Sequence, residues 1–131
     1  MRTQIFSGSP LEPEIGFCRA VRVGRSLAIA GTAPIAPDGS VAAPGDVYRQ
    51  TKRCLEIIAT AIGDSGLDLD DVVRTRIMLT DIRTWRDAAR AHGELFAEVK
   101  PACTFVEVSR FIDPGWLVEV EADCVAQGGP G

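Results

Sequence analysis

The side chains best suited to chemistry are four cysteines, a single histidine and a run of acidic residues near the C-terminal end. The cysteines are Cys18, Cys54, Cys103 and Cys124. They are widely spaced and include no C-x-x-C pair, and one histidine, His92, is too few for an ordinary zinc site. We therefore expect four reduced thiols and no bound metal.

The acidic run alternates with apolar residues, which is the pattern of a strand with one charged and one buried face. Glu119, Glu121 and Asp123 share the charged face, and Arg74 and Arg76 share such a face in an earlier β-branched segment. The residues expected beneath the helices are Val73, Thr75, Ile77, Leu79, Val118, Val120, Ala122, Cys124 and Ala126. Two interpretations are open: a solvated face with cross-strand ion pairs, or a face that meets other subunits and lines a pocket between them.

Hydrophobic periodicity and turn residues predict the elements that position these side chains. The predicted strands are 19–23 and 26–30, joined by a tight hairpin at Gly24-Arg25, then 72–79, 103–108 and 116–126. Asp46 is expected to cap a first helix that ends near Gly63 or Gly66. Its buried stripe is Val47, Thr51, Cys54, Leu55, Ile58 and Ile62.

A second helix is predicted to begin at Thr84, with Asp87 completing a capping box, and to end before Pro101. Its apolar stripe is Trp85, Ala88, Ala89, His92, Leu95, Phe96 and Val99. The histidine is therefore expected to be a packed core residue.

Composition narrows the class of protein. The chain has 131 residues, 46% of them hydrophobic and 24% charged, with a net charge of -4, which is ordinary for one globular α/β domain. No basic run is longer than Lys52-Arg53, so we expect no nucleic-acid partner. No stretch approaches the length of a membrane span and no signal peptide is visible, so we expect a cytoplasmic protein.

Short segments spread along the chain form a recognisable set. They are Ile15-Gly16, 28–31 (AIAG), Gln50, 66–75 (GLDLDDVVRT), Asp81-Ile82, Phe96, 101–108 (PACTFVEV) and 117–122 (LVEVEA). Across about residues 6–126 the chain resembles the RidA/YjgF family of small imine and enamine deaminases, also described as endoribonuclease L-PSP. We accordingly expect one such domain over 1–131, with a short flexible tail at 127–131.

The resemblance implies a chorismate-mutase-like α/β (α+β) fold, in which a six-stranded mixed sheet is backed by two helices. It also implies a homotrimer whose sheets face a central pseudo-barrel, with small-molecule pockets between subunits. This favours the second interpretation of the charged face. Family members of the best-known type need no cofactor and hydrolyse 2-imino acids and their enamine tautomers to 2-keto acids and ammonia.

The resemblance also implies roles for individual residues. Glu119 matches the glutamate that helps to position the attacking water, and Gly31 matches a glycine whose backbone borders the pocket. Thr104 and the backbone near Cys103 would supply further polar contacts to a substrate.

Two positions depart from the family pattern. Cys103 stands where an arginine clamps the substrate carboxylate, and Phe17-Cys18 follows Gly16 where the family often has Gly-Pro-Tyr. A neutral thiol is a weak donor, so losing the guanidinium costs about 1.5–3 kcal/mol, or roughly ten- to hundredfold in binding. Simple 2-imino acids are therefore not the expected substrate.

Three functions remain open at this point. The first is a cofactor-independent hydrolase in which Glu119 activates water and the pocket, bordered by Phe17, Cys18 and Gly31, accepts a neutral or bulkier imine or enamine. The second is a non-catalytic ligand-binding or regulatory module that uses the same cleft. The third is thiol chemistry at Cys18 and Cys103, as a nucleophile or a redox pair.

Overall fold

The computed structural model describes residues 1–127 of the chain. The strands are β1 (Arg2–Ile5), β2 (Ala20–Val23), β3 (Ser26–Thr32), β4 (Val72–Leu79), β5 (Ala102–Glu107) and β6 (Val118–Val125). The α-helices are α1 (Leu11–Ile15), α2 (Val47–Asp64) and α3 (Trp85–Phe96), and the 3-10 turns are Leu69–Asp71 and Ile82–Thr84. Of the flexible tail expected at 127–131, only Gln127 is among the described residues, and residues 128–131 lie outside them.

The six strands form one mixed sheet in the order β1-β2-β3-β6-β4-β5. All neighbours are antiparallel except β4 and β5, which are parallel. A parallel pair needs a long crossover, and α3 supplies it. The helices α2 and α3 bury one face of the sheet around a continuous apolar core. The predicted class, an α+β domain with a six-stranded mixed sheet, is confirmed.

The helix α2 forms as the sequence predicts. The Asp46 carboxylate accepts a hydrogen bond from the backbone N–H of Arg49 at 3.0 Å, which satisfies one unpaired donor of the first turn. Every residue of the predicted stripe is buried, and Ile58 and Ile62 are among the most completely buried side chains. Full burial of each such side chain is worth about 1.5–3 kcal/mol. This stripe is the main attachment of α2 to the sheet.

The capping box predicted for α3 is wrong. Thr84 makes no capping bond to the helix, and its hydroxyl donates instead to the carbonyl of Asp81 at 2.7 Å. The reason is a 3-10 turn at 82–84, whose own cap is Asp81, so the backbone is already helical where Thr84 was expected to begin the helix. The buried residues of α3 are Ala88, Ala91 and Phe96, while Trp85 is largely exposed.

The alternation predicted for β4 fails at its first residues. Val72 is buried and Val73 is exposed, the reverse of the expectation for Val73. The register with β6 shifts between Val72 and Arg74, so a bulge inverts the facing of this end. From Thr75 onward the predicted faces are confirmed, with Thr75, Ile77 and Leu79 fully buried.

The ends of the described chain are held more firmly than the sequence indicated. β1 consists of the polar run Arg2–Ile5 and pairs with β2, so it extends the sheet ahead of the domain core expected from residue 6. Gln127 donates from its backbone N–H to Asp71 and from its amide to the carbonyl of Asp70. The first helix, α1, has only five residues and, unlike α2 and α3, does not cover a face of the sheet.

Candidate functional site

The sheet face that the helices leave open is lined with charged side chains in register. Arg74 lies opposite Asp123 and Arg76 opposite Glu121, and both arginines form ion pairs with these partners. All four side chains are at least one-third exposed, so each pair contributes at most about 1 kcal/mol. The strand arginines are therefore occupied by Glu121 and Asp123, not by Glu119.

Glu119 is the first residue of the same acidic run, and its surroundings differ from those of Glu121 and Asp123. It lies opposite Met78 of β4, which in turn lies opposite Val106 of β5. No ion pair or hydrogen bond to the Glu119 carboxylate occurs within residues 1–127. The carboxylate is thus half-buried beside apolar side chains and is available to a water molecule or a ligand.

Gly31 makes room for this carboxylate. A Cβ atom placed on Gly31 would lie 2.9 Å from Oε1 of Glu119, closer than side-chain carbons normally approach any atom. The register of β3 with β6 shifts between Ile29 and Thr32, so the strand bulges at this point. The structure therefore brings Gly31 and Glu119 together, as the resemblance implied.

Partial burial raises the pKa of Glu119. The positive charge of Arg19 opposes this shift, and the nearby negative charge of Glu121 adds to it. A carboxylate whose pKa is raised is a stronger base than an ordinary surface glutamate. These surroundings suit a general base.

Arg19 contacts Gly31 directly and acts electrostatically on Glu119. Its guanidinium donates to the carbonyl of Gly31 at 2.6 Å and to Oγ1 of Thr32 at 3.1 Å, and it lies 3.7 Å from the Glu12 carboxylate. Phe17 packs against it, with its ring centroid 5.3 Å from the guanidinium carbon. This contact between Arg19 and Gly31 was not expected from the sequence.

Arg19 and Glu12 are 5% and 3% exposed, which is rare for charged residues. Burial lowers the pKa of Arg19, and Glu12 and Glu119 act against that shift. Among residues 1–127, Nε of Arg19 is the buried side-chain nitrogen or oxygen without a hydrogen-bond partner. Such an unsatisfied donor costs about 1–3 kcal/mol. This cost is an unusual feature for a residue that serves packing alone.

Cys103 lies on the other side of the sheet from Glu119. It is opposite Thr75 in the parallel pair of β4 and β5, and Thr75 faces the helices. Phe105, two residues on, contacts Trp85 of α3, which confirms this facing. Thr104 points to the open face, opposite Arg76. Within one protomer the structure separates Cys103 from the Gly31–Glu119 pair.

Cys18 and Cys103 lie toward opposite edges of the sheet. Cys18 precedes β2 and Cys103 is in β5, four strand positions apart in the sheet order. At about 4.8 Å per strand this corresponds to about 19 Å, far beyond the reach of a disulfide. All four cysteines are free. A pair between these two thiols therefore requires two protomers.

His92 packs as the sequence predicts and does not approach Glu119. Its Nε2 is 2.8 Å from Oγ1 of Thr75, and its ring lies against Phe96. Burial lowers the pKa of His92, which favours the neutral imidazole. It lies on the helix-covered side of the sheet, as Cys103 does.

A cavity of about 330 Å³ opens between the N-terminal segment, the loop after β3 and α2. Arg19, Thr32 and Arg53 are part of its lining, but Glu119 and Cys103 are not. Glu119 instead lies on the open sheet face, which one protomer does not enclose. Across residues 1–127 no cluster of three His, Cys, Asp or Glu side chains is arranged to hold a metal ion. In the same residues no helix is long and apolar enough to span a membrane.

These observations define a small single-domain α+β protein with one helix-covered and one open, charged sheet face. Comparisons with known proteins agree. The family model described as Endoribonuclease L-PSP matches residues 8–126. Protein SCO2049 of Streptomyces coelicolor is 40% identical over 92% of this chain and 89% of its own length. The RutC family protein PYRAB12510 of Pyrococcus abyssi is 35% identical over 90% of this chain and 92% of its own length.

The fold comparison gives the same result. The crystal structure of Rv2704 from Mycobacterium tuberculosis, described as a member of the YjgF/YER057c/UK114 family, superposes with a TM-score of 0.86. It is 41% identical in sequence, over 96% of this chain and 100% of that chain. The chain therefore belongs to the RidA/YjgF family.

Proposed function

We propose that this protein hydrolyses a small, neutral imine or its enamine tautomer in a cleft between protomers, without a cofactor. Glu119 takes a proton from water as the water oxygen bonds to the imine carbon, and returns that proton to the nitrogen to give a carbinolamine. The carbinolamine hydroxyl then passes its proton through Glu119 to the nitrogen as the C–N bond breaks, which releases ammonia and leaves a carbonyl compound. One water is consumed for each C=N bond, and no electrons are transferred.

The observation that carries this proposal is the state of Glu119. Its neighbours on β6, Glu121 and Asp123, are neutralised by strand arginines, whereas the Glu119 carboxylate is left without such a partner. Its raised pKa and its position against Gly31 suit a base that holds one water molecule.

The preference for a neutral substrate follows from what lies around Glu119. Met78 lies beside it in the sheet and Val106 lies one strand further on, and both offer apolar contact. The positive charge of Arg19 also acts on Glu119, but that side chain is buried and its guanidinium is already bonded to the carbonyl of Gly31. Cys103 supplies no guanidinium, and in its own protomer its side chain faces away from Glu119. An anionic substrate would therefore lack a fork of charge-assisted hydrogen bonds.

We place the cleft between protomers because the open face is incomplete in one chain. Val106, Thr104 and Ala102 are exposed on the edge strand β5. Covering this face in a homotrimer, the assembly that the resemblance implies, would exclude water and strengthen the electrostatic effect of Glu119. The free thiols favour a reducing, cytoplasmic location. The net charge of -4 disfavours a nucleic-acid partner.

The experiment compares Glu119→Gln with Glu121→Gln, a matched change two residues along the same strand and face. Ammonia release is measured from imines generated in situ, one with a carboxylate and one without. We expect the neutral imine to be the better substrate, and Glu119→Gln to lower its kcat about a hundredfold or more. Glu121→Gln should change it by less than about fivefold, because Glu121 is paired with Arg76 and acts on Glu119 only through its charge. Equal losses in the two variants would contradict the proposal.

The alternative is a ligand-binding module without turnover, and the cysteine at position 103 is the feature that favours it. Saturable binding of the imine, or of its carbonyl product, with no ammonia release in the wild-type protein would establish that function. Replacing Cys103 with arginine then separates the two cases. A gain of activity on 2-iminopropionate shows that Glu119 is competent and only the anchor is missing.

A further inference from the structure

Arg19 links the N-terminal segment to the Gly31–Glu119 pair. Its guanidinium binds the carbonyl of Gly31 and the hydroxyl of Thr32, two residues at the bulge where β3 departs from regular pairing with β6. The Glu119 carboxylate lies against the same Gly31. A single residue of β3 thus stands between the guanidinium and the carboxylate. Any movement of Arg19 would change the shape of the space that Glu119 occupies.

Arg19 is also the positive charge that acts on Glu119 in the structure. The other ionisable groups that act on it are Glu121 on β6 and Cys54 on α2. The Cys54 thiol is neutral, because complete burial raises its pKa. Glu12 competes for the same guanidinium from the N-terminal side. Arg19 therefore interacts electrostatically with two carboxylates, those of Glu12 and Glu119.

We propose that Arg19 is a positioning residue of the Glu119 site. It holds the bulge of β3 in the shape that admits the Glu119 carboxylate, and its positive charge, offset by Glu12, favours the ionised form of Glu119 beside apolar neighbours. The catalytic part of this role rests on the proposed function. Its effect on Glu119 does not, because the charge and the contacts are present without a substrate.

The experiment is an NMR titration of the Glu119 carboxyl in the intact protein, with ¹³C-labelled glutamate assigned by Glu119→Gln. In Arg19→Met the titration midpoint should move up, because the opposing positive charge is gone. In Glu12→Gln it should move down, because the negative charge that offsets Arg19 is then gone. The two shifts have opposite signs, which a general loosening of the fold would not produce.

The matched control is Arg22→Met. Arg22 lies on β2, three residues after Arg19. Its guanidinium also donates to a backbone carbonyl, that of Ser65, at 2.7 Å. It should leave the Glu119 midpoint unchanged. If Arg19→Met does not fold, Glu12→Gln still decides: a downward shift supports the role, and no shift overturns it. A folded Arg19→Met that titrates like the wild type also overturns it.

Arg19→Lys separates the charge from the contacts. It should keep the Glu119 midpoint closer to the wild-type value than Arg19→Met does, while amide exchange at Gly31 and Thr32 becomes faster. Where ammonia release is measurable, Arg19→Met should lower kcat about tenfold or more with little change in KM, since a buried Arg19 does not touch the substrate. If the two titration shifts have opposite signs but no ammonia is released, the role of Arg19 is supported and the proposed function is contradicted.

Discussion

At the scale of single residues, the environments of three acidic side chains on one strand give them different chemistry. Asp123 and Glu121 each lie opposite an arginine, whereas Glu119 lies opposite a methionine and beside a glycine. The difference arises from the neighbouring strands, because the residues themselves are nearly identical in type. A function assigned to Glu119 therefore depends on Gly31, Met78 and Arg19 as much as on its own carboxylate.

The raised pKa of Glu119 predicts how stability should depend on pH. A carboxyl whose pKa is higher in the folded than in the unfolded state binds protons preferentially when folded. Its contribution is therefore fully present below the ordinary glutamate pKa and is lost as pH rises through the folded value. Urea denaturation of the wild type and Glu119→Gln should give their smallest difference in acid. As pH rises to neutrality, the wild type should lose stability relative to the variant. A difference that does not change with pH would contradict the raised pKa.

At the scale of elements, the two long helices begin in different ways. Asp46 caps α2 directly, while Thr84 makes no cap for α3. We predict that Asp46→Ala lowers the free energy of unfolding by about 1 kcal/mol. Thr84→Ala should change it by less than about 0.5 kcal/mol, because its hydroxyl bonds within the preceding turn. Urea denaturation with an unchanged m-value tests both. Equal losses would show that Thr84 caps α3 in solution.

The sequence allowed prediction of those elements whose signal is local. The stripe of α2 and its Asp46 cap, the hairpin at Gly24-Arg25 and the alternation of β6 all depend on near neighbours in the chain, and all are confirmed. β1 was not predicted, because Arg2–Ile5 is polar and becomes a strand only through pairing with β2. Tertiary pairing overrides propensity in such edge strands.

The face of the sheet on which each side chain near the site lies could be determined only from the pairing of the strands. Alternation alone does not reveal the bulge at Val72 and Val73, since nothing in a run of β-branched residues marks a register shift. The same limit applies to Cys103, whose side depends on its register with Thr75 in a parallel pair. The Gly31–Glu119 contact was found through the resemblance. The sequence does contain a signal for Arg19, because this arginine lies between two residues without charge, Cys18 and Ala20. The structure shows that Arg19 is buried.

At the scale of the whole molecule, α2 and α3 cover one face of the sheet and leave the other face open. The helices cover the centre of the apolar side, with Val118, Val120 and Ile77 fully buried. The other side combines ion pairs with the exposed apolar residue Val106 on an edge strand. Because β5 is the last strand of the sheet, its outer edge invites pairing with another chain.

We expect the open face to form the interface between protomers. We expect the protein to be a trimer by native mass spectrometry and light scattering at micromolar concentration. Val106→Asp places a charge among the exposed residues of the open face and should shift the protein toward single protomers. Ammonia release should fall with it, because the cleft beside Glu119 is lost. Ile82→Asp is the control: Ile82 is similarly exposed but lies in the turn before α3. A wild type that is a single protomer, or a trimer unaffected by Val106→Asp, would show that the open face is not the interface.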